Sequence, residues 1–305
     1  MPSPEHDQIV ELLVAQRAAE GAGGAELSLD ERRAGYEAVM ELFPLPDGLV
    51  VEEVDAGGVP ADRLSFAGAD DDSGPVVLYL HGGGYCIGSP RTHRDLASRI
   101  AEAAGGSAIV PAYRLAPEHP FPAAVDDSLA AYRWLVTEVG AERIVLAGDS
   151  AGGGLALCLA VAARDARLPL PAGIACFSPW TDLDLAGESM SGASDPILTR
   201  TEVAAMRDAY LAGADRRAPL ASPLYADLRG LPPVLVHVGT AELVLDDSRR
   251  IVDALPDAEL VEWPDLVHVF PHVAPHAPES VAAVHAIGHF AQTVARCSAG
   301  RGLLV

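Results

Sequence analysis

The pentapeptide Gly148-Asp149-Ser150-Ala151-Gly152 has the form G-x-S-x-G. The apolar run 143–148 before it reads as a strand and the run 150–165 as a helix. A serine nucleophile works from such a strand–turn–helix junction, where a sharp turn holds Oγ clear of the sheet. Cβ atoms two residues to either side would collide with the neighbouring strand and helix, which accounts for the glycines. N–H groups at the start of the following helix favour negative charge there. Ser150 is therefore the candidate nucleophile; a plain helix N-cap serine is the competing reading.

A serine that attacks a carbonyl creates an oxyanion, which needs donors aimed in advance. His81-Gly82-Gly83-Gly84 follows the strand-like run Val76-Val77-Leu78-Tyr79-Leu80. Three glycines cost backbone entropy and give a strand nothing to pack, yet they leave their N–H groups unobstructed. The N–H groups of Gly82 and Gly83, converging with that of Ala151, are the expected oxyanion hole. Gly84 serves the bend, and His81 is a structural hydrogen-bonder. An ordinary glycine turn is the alternative for the stretch taken alone.

Both motifs need a scaffold that brings strand ends together. Residues 7–42 read as helical segments, interrupted at 21–28. Strand-like segments follow at 49–55, 61–67 and 75–80. Strands at 107–112, 143–148, 173–178, 233–238 and 258–263 then alternate with helices at 91–104, 122–138, 150–165, 246–255 and 277–297. Several strands are continuously apolar, as in parallel strands covered on both faces. The alternation implies right-handed crossovers and a doubly wound α/β sheet with functional groups at the carboxyl ends of its strands. The irregular stretch 182–225 breaks the pattern and is long for a connection, which suits a lid or an insert. Low complexity is confined to an acidic loop at 70–73.

Composition narrows the partners. The 305 residues suit one large α/β domain, and 50% are hydrophobic. A net charge of −22 repels phosphate backbones and anionic lipid heads, so no nucleic acid and no membrane partner is expected. All 21 basic residues are arginine, and Lys and Asn are absent. Genome bias explains that as readily as salt adaptation does, and it says nothing about the reaction. Cys86, Cys158, Cys176 and Cys297 have no metal-site spacing. No secretion signal is recognisable at the N-terminus, so free thiols in the cytoplasm are expected.

Four blocks together carry a family resemblance: HGGGYCIGS from His81, Tyr113-Arg-Leu-Ala-Pro-Glu-His-Pro-Phe-Pro-Ala, GDSAGGGLA from Gly148, and Val267-His-Val-Phe. In that order they resemble the hormone-sensitive-lipase-like family of α/β-hydrolases, from about residue 40 onward. The resemblance implies an α/β-hydrolase fold: an eight-stranded, mostly parallel sheet flanked by helices, its second strand antiparallel. A helical cap would come from residues 1–45 plus the insertion at about 182–225, with 46–305 as the catalytic domain. It implies a carboxylesterase acting on short-chain esters, with no metal and no organic cofactor. Homodimers through the sheet edge are common in the family. Glu118 and His119, in the block from Tyr113, are then expected to brace the glycine loop, not to catalyse.

The resemblance also locates base and acid. His268, in the motif 267–270 after the last strand, is the expected base, since the order in such enzymes is Ser, acid, His. The acid belongs just beyond the 233–238 strand. The family usually has D-x-L-x-D there; Glu242-Leu-Val-Leu-Asp246 puts Glu242 at the acid position, a departure in residue type. Asp246 is the alternative acid, with a competing role of charging or capping the 246–255 helix. Asp195 precedes the acid-bearing strand and reads as cap architecture. Tyr85, Trp180 and Phe270 are pocket-wall or core residues. The substrate is a small-molecule ester; an amide or lactone on the same triad is an alternative. A non-catalytic receptor is another, as in the plant gibberellin receptors, which lack the histidine that this chain keeps.

Overall fold

The computed structural model describes residues 1–22, 27–67, 73–192 and 195–301. Most of the acidic loop at 70–73 and part of the break at 21–28 lie outside the described residues. Helices α1 (Pro4–Ala22) and α2 (Leu29–Met40) come first, then strands β1 (Leu49–Asp55) and β2 (Pro60–Phe66). The alternating part runs β3 (Val76–Leu80), α3 (Pro90–Ala104), β4 (Ser107–Pro111), α4 (Ala123–Val139), β5 (Ile144–Asp149), α5 (Ala151–Asp165) and β6 (Gly173–Phe177). The irregular stretch holds α6 (Ser189–Gly192), α7 (Arg200–Leu211) and a 3-10 turn at Pro223–Tyr225. The chain then continues through β7 (Val234–Gly239), α8 (Leu245–Ala254), β8 (Ala258–Trp263), α9 (Phe270–Val273) and α10 (Pro278–Arg301).

The eight strands form one sheet in the order β1-β2-β4-β3-β5-β6-β7-β8. β2 runs antiparallel to both neighbours, and all other pairs are parallel. The expected fold is the one observed. Every residue of β3, β4, β5, β6 and β7 is buried, because helices cover both faces. On one face α4, α5 and α8 pack over Leu78, Leu80, Leu146 and Ile174. On the other, α3 and α10 close over Val77, Tyr79, Ala147 and Phe177. Each large apolar side chain buried this way contributes about 1.5–3 kcal/mol of transfer free energy.

Register brings the carboxyl ends of the central strands to one level. Leu80 pairs with Gly148, Asp149 with Phe177, Phe177 with His237, and Gly239 with Trp263. Helices α1, α2 and α7 sit around that end; α1 is tied to α7, and α2 and α7 to the glycine loop. Arg17 of α1 pairs with Glu202 of α7 at 2.6 Å. The Tyr210 ring of α7 stacks on Tyr85 with centroids 3.7 Å apart. Among the described residues no helix is long and apolar enough to cross a membrane, and no His/Cys/Asp/Glu cluster could hold a metal ion.

Candidate active site

Ser150 follows β5 with φ 52° and ψ −121°, a strained conformation for a residue with a side chain. Its surroundings enforce the turn. The Ser150 N–H donates to Phe177 O at 2.9 Å, and its carbonyl accepts from Trp180 N at 2.9 Å. A Cβ on Gly148 would lie 2.6 Å from Leu80 O and 2.5 Å from Gly152 O; one on Gly152 would lie 2.0 Å from Leu80 O. The two motif glycines thus let β3, the turn and α5 meet without side chains between them.

The expected base and acid meet this serine. His268 Nε2 lies 2.9 Å from Ser150 Oγ, and His268 Nδ1 lies 2.6 Å from Glu242 Oε2. Glu242 is fully buried. Its other oxygen accepts from Ser178 Oγ at 2.9 Å and from the Gly239 N–H at 2.6 Å. Ser178 Oγ in turn accepts from the Val269 N–H at 3.1 Å, so one hydroxyl ties the acid to the histidine loop. Sequence reasoning missed Ser178; the available signal was its place at the carboxyl end of β6, beside the nucleophile strand.

Burial alone would depress the basicity of His268. The hydrogen bond and the charge of Glu242, with Asp195 and Asp149 beyond, outweigh it and hold the imidazole above its ordinary 6.5. Nucleophile activation requires the neutral ring. The kcat/KM profile is therefore expected to rise with pH along a limb centred above 6.5. A limb centred below that value would remove His268 as the base.

Asp246 is not within this chain of contacts. Its carboxylate accepts from the Ser189 N–H at 2.8 Å and lies 3.6 Å from Arg249. It sits in the first turn of α8, charging the helix start without capping it, since the N-cap position is Val244 and makes no side-chain bond. Asp195 Oδ2 accepts from the Leu243 N–H at 3.0 Å, so it steadies the acid loop from the 182–225 stretch.

The glycine loop needs one correction. The Gly82 N–H donates to Asp149 Oδ1 at 3.1 Å, which withdraws it from the expected oxyanion pair. Asp149 is buried, which opposes its ionisation, but His93 at 3.3 Å and the Tyr79 hydroxyl at 2.7 Å hold its carboxyl well below the usual range. A Cβ on Gly82 would fall 2.0 Å from that carboxylate, so this glycine makes room for Asp149. Gly83 has φ 111°, and a Cβ there would meet Ile87 O at 2.3 Å; Gly84 has φ 60°, and its Cβ would meet Met206 Sδ at 2.2 Å. Among the described residues the N–H groups of Gly83, Gly84 and Ala151 have no acceptor.

The surrounding residues support the loop. The His81 ring stacks on Tyr113 at 4.2 Å, and the Tyr113 hydroxyl donates to His81 O at 2.6 Å. Burial, and then His93, lower His81 to about 3, so it is a neutral structural ring. Ala116 N donates to Tyr85 O at 2.9 Å, and Glu118 pairs with Arg33 at 2.8 Å, away from Ser150. Tyr85, Trp180 and Phe270 are all buried core residues.

Comparison with known proteins finds relatives over most of the chain. A family model described as the α/β hydrolase fold matches residues 77–272. An acetyl-hydrolase of Streptomyces hygroscopicus is 40% identical, covering 99% of this chain and 100% of its own. A carboxylesterase, NlhH, of Mycobacterium tuberculosis is 36% identical over 85% of this chain and 80% of its own. The crystal structure of an esterase from the bacterial hormone-sensitive lipase family superposes with a TM-score of 0.91 at 45% identity, covering 97% of this chain and 99% of that one.

Proposed function

Since the chain belongs to the α/β-hydrolase family, among the bacterial hormone-sensitive-lipase-like esterases, and is a carboxylic ester hydrolase, we propose that it cleaves short-chain esters with Ser150, His268 and Glu242. The observation that carries this is the unbroken path Ser150 Oγ–His268 Nε2–His268 Nδ1–Glu242 Oε2, with steps of 2.9 and 2.6 Å. His268 takes the Ser150 proton as Oγ bonds to the ester carbonyl carbon. The carbonyl oxygen becomes an oxyanion held by the N–H groups of Gly83, Gly84 and Ala151. The C–O bond to the alcohol breaks as His268 returns the proton to the leaving oxygen. Water, deprotonated by His268, then attacks the acyl-enzyme, and Ser150 leaves with the proton while the acid departs. Glu242 fixes the Nδ1–H tautomer and stabilises the imidazolium.

In the same reading α1, α2 and the 182–225 stretch form the cap over the site. The short acyl preference is supported by the acetyl-hydrolase relative. The free cysteines fit the reducing cytoplasm, and a homodimer through the sheet edge follows family precedent. A chain-length series of p-nitrophenyl esters tests the specificity: kcat/KM is expected to peak at acetate or butyrate and to exceed that for the matched anilides. A peak at long acyl chains would overturn the short-chain assignment, and comparable anilide turnover would favour an amidase.

A further inference from the structure

Helix α2 is an anomaly in how it is held. None of its residues is buried. A 12-residue helix is marginal on its own, and its apolar anchoring is limited to Leu29, half-buried against the core, and the Tyr36 ring, edge-on to His93 and His272 with its hydroxyl 2.7 Å from His272 Nε2. Polar side chains add to this hold, and those of Arg33 and Glu37 reach the glycine loop or its brace. Arg33 Nε donates to Cys86 O at 2.9 Å, and Arg33 Nη2 donates to Ala116 O at 3.0 Å. Glu37 Oε1 accepts from Ser89 Oγ at 2.7 Å. Glu118 holds the guanidinium through two bonds, at 2.9 and 2.8 Å; being half exposed, that ion pair orients Arg33 more than it stabilises the fold.

The two carbonyls that Arg33 grips belong to residues that lock the turn around Gly83 and Tyr85. The Cys86 N–H donates to Gly83 O at 3.0 Å, as does the Ile87 N–H. The Ala116 N–H donates to Tyr85 O at 2.9 Å. One planar guanidinium thus holds the carbonyls of both residues whose N–H groups fix the 83–87 turn. On the inner side, Asp149 holds Gly82. The loop is clamped from within by the residue before the nucleophile and from outside by α2.

We propose that Arg33 is a positioning residue for the oxyanion hole, so that α2 contributes to transition-state stabilisation beyond covering the site. The proposal rests on the reading of Gly83, Gly84 and Ala151 as the oxyanion donors. Donors act only if aimed at where the charge develops, and a displacement of about 1 Å can cost up to about 10²-fold.

The test uses the full chain carrying Arg33→Met, which keeps the apolar stem and removes all five donors. On p-nitrophenyl butyrate kcat is expected to fall roughly 10- to 100-fold with KM within about 2-fold. The inhibition constant of an aryl trifluoromethyl ketone, whose serine adduct carries an oxyanion, is expected to rise by the same factor as kcat/KM falls. Arg33→Lys is expected to recover little, because an ammonium does not reproduce the planar fork. A wild-type kcat in Arg33→Met, a change confined to KM, or a lost kcat with an unchanged ketone constant would each overturn the proposal. If the ketone fails to inhibit the parent enzyme, the oxyanion-hole reading fails first, and the Arg33 proposal goes with it. Should Arg33→Met not fold, Arg33→Lys carries the test instead: it keeps the charge facing Glu118 but not the planar fork that holds both carbonyls, and kcat is expected to fall roughly 10-fold or more with KM within about 2-fold; an unchanged kcat there would equally overturn the proposal.

Discussion

Ser150→Ala is expected to lower kcat for p-nitrophenyl butyrate by about 10⁴- to 10⁶-fold, as loss of a serine nucleophile does elsewhere. The fold should survive. The strained turn at φ 52° is held by backbone bonds to Phe177 O and from Trp180 N, which an alanine keeps. Only one side-chain contact disappears, the 2.9 Å bond to His268 Nε2. Steady-state rates, circular dichroism and stoichiometric labelling by a fluorophosphonate make a complete check. A folded variant that retained more than about a hundredth of the parent rate would exclude Ser150 as nucleophile, because a residual from binding and the oxyanion hole alone is far smaller.

Glu242→Gln should cost nearly as much, about 10⁴-fold in kcat. An amide in this position can donate to Nδ1, which favours the tautomer carrying its proton on Nε2, and that ring cannot accept the Ser150 proton. The amide would also face two donors, Ser178 Oγ and the Gly239 N–H, that now converge on one carboxylate oxygen. Asp246→Asn, by contrast, should stay within about 2-fold, in the range expected for a carboxylate remote from the reacting atoms. Glu242→Asp should fall between the two. If Asp246→Asn lost the activity and Glu242→Gln kept it, the acid assignment would be reversed.

Much of this arrangement was legible in the sequence because parallel strands announce themselves. Runs such as 144–148 and 234–236 are apolar throughout since both faces are covered, and the carboxyl ends of their strands fix where chemistry can occur. Glu242 was singled out through the family pattern alone, in which an acid follows β7, and it departs from that pattern in residue type. The role of Gly82 was misassigned because nothing in HGGG tells which N–H faces inward. That depends on Asp149, from a strand distant in sequence but adjacent in the sheet. Ser178 was missed because a serine at a strand end has no pattern of its own. Helix α2 gave little sign of its attachment, since beside Leu29 and Tyr36 its contacts run through Arg33 and Glu37, which have no apolar periodicity behind them.

The contact between Gly84 and Met206 bears on recombining this protein with its relatives. The space that a Cβ on Gly84 would need is filled by a side chain of α7, so that glycine answers to α7 as well as to the loop in which it lies. A chimera that imports 182–225 from another esterase therefore replaces the neighbour against which Gly84 was fitted. Crossovers chosen at sequence boundaries would separate these two positions, whereas a design that inherits residues 84 and 206 together keeps the glycine loop and α7 matched.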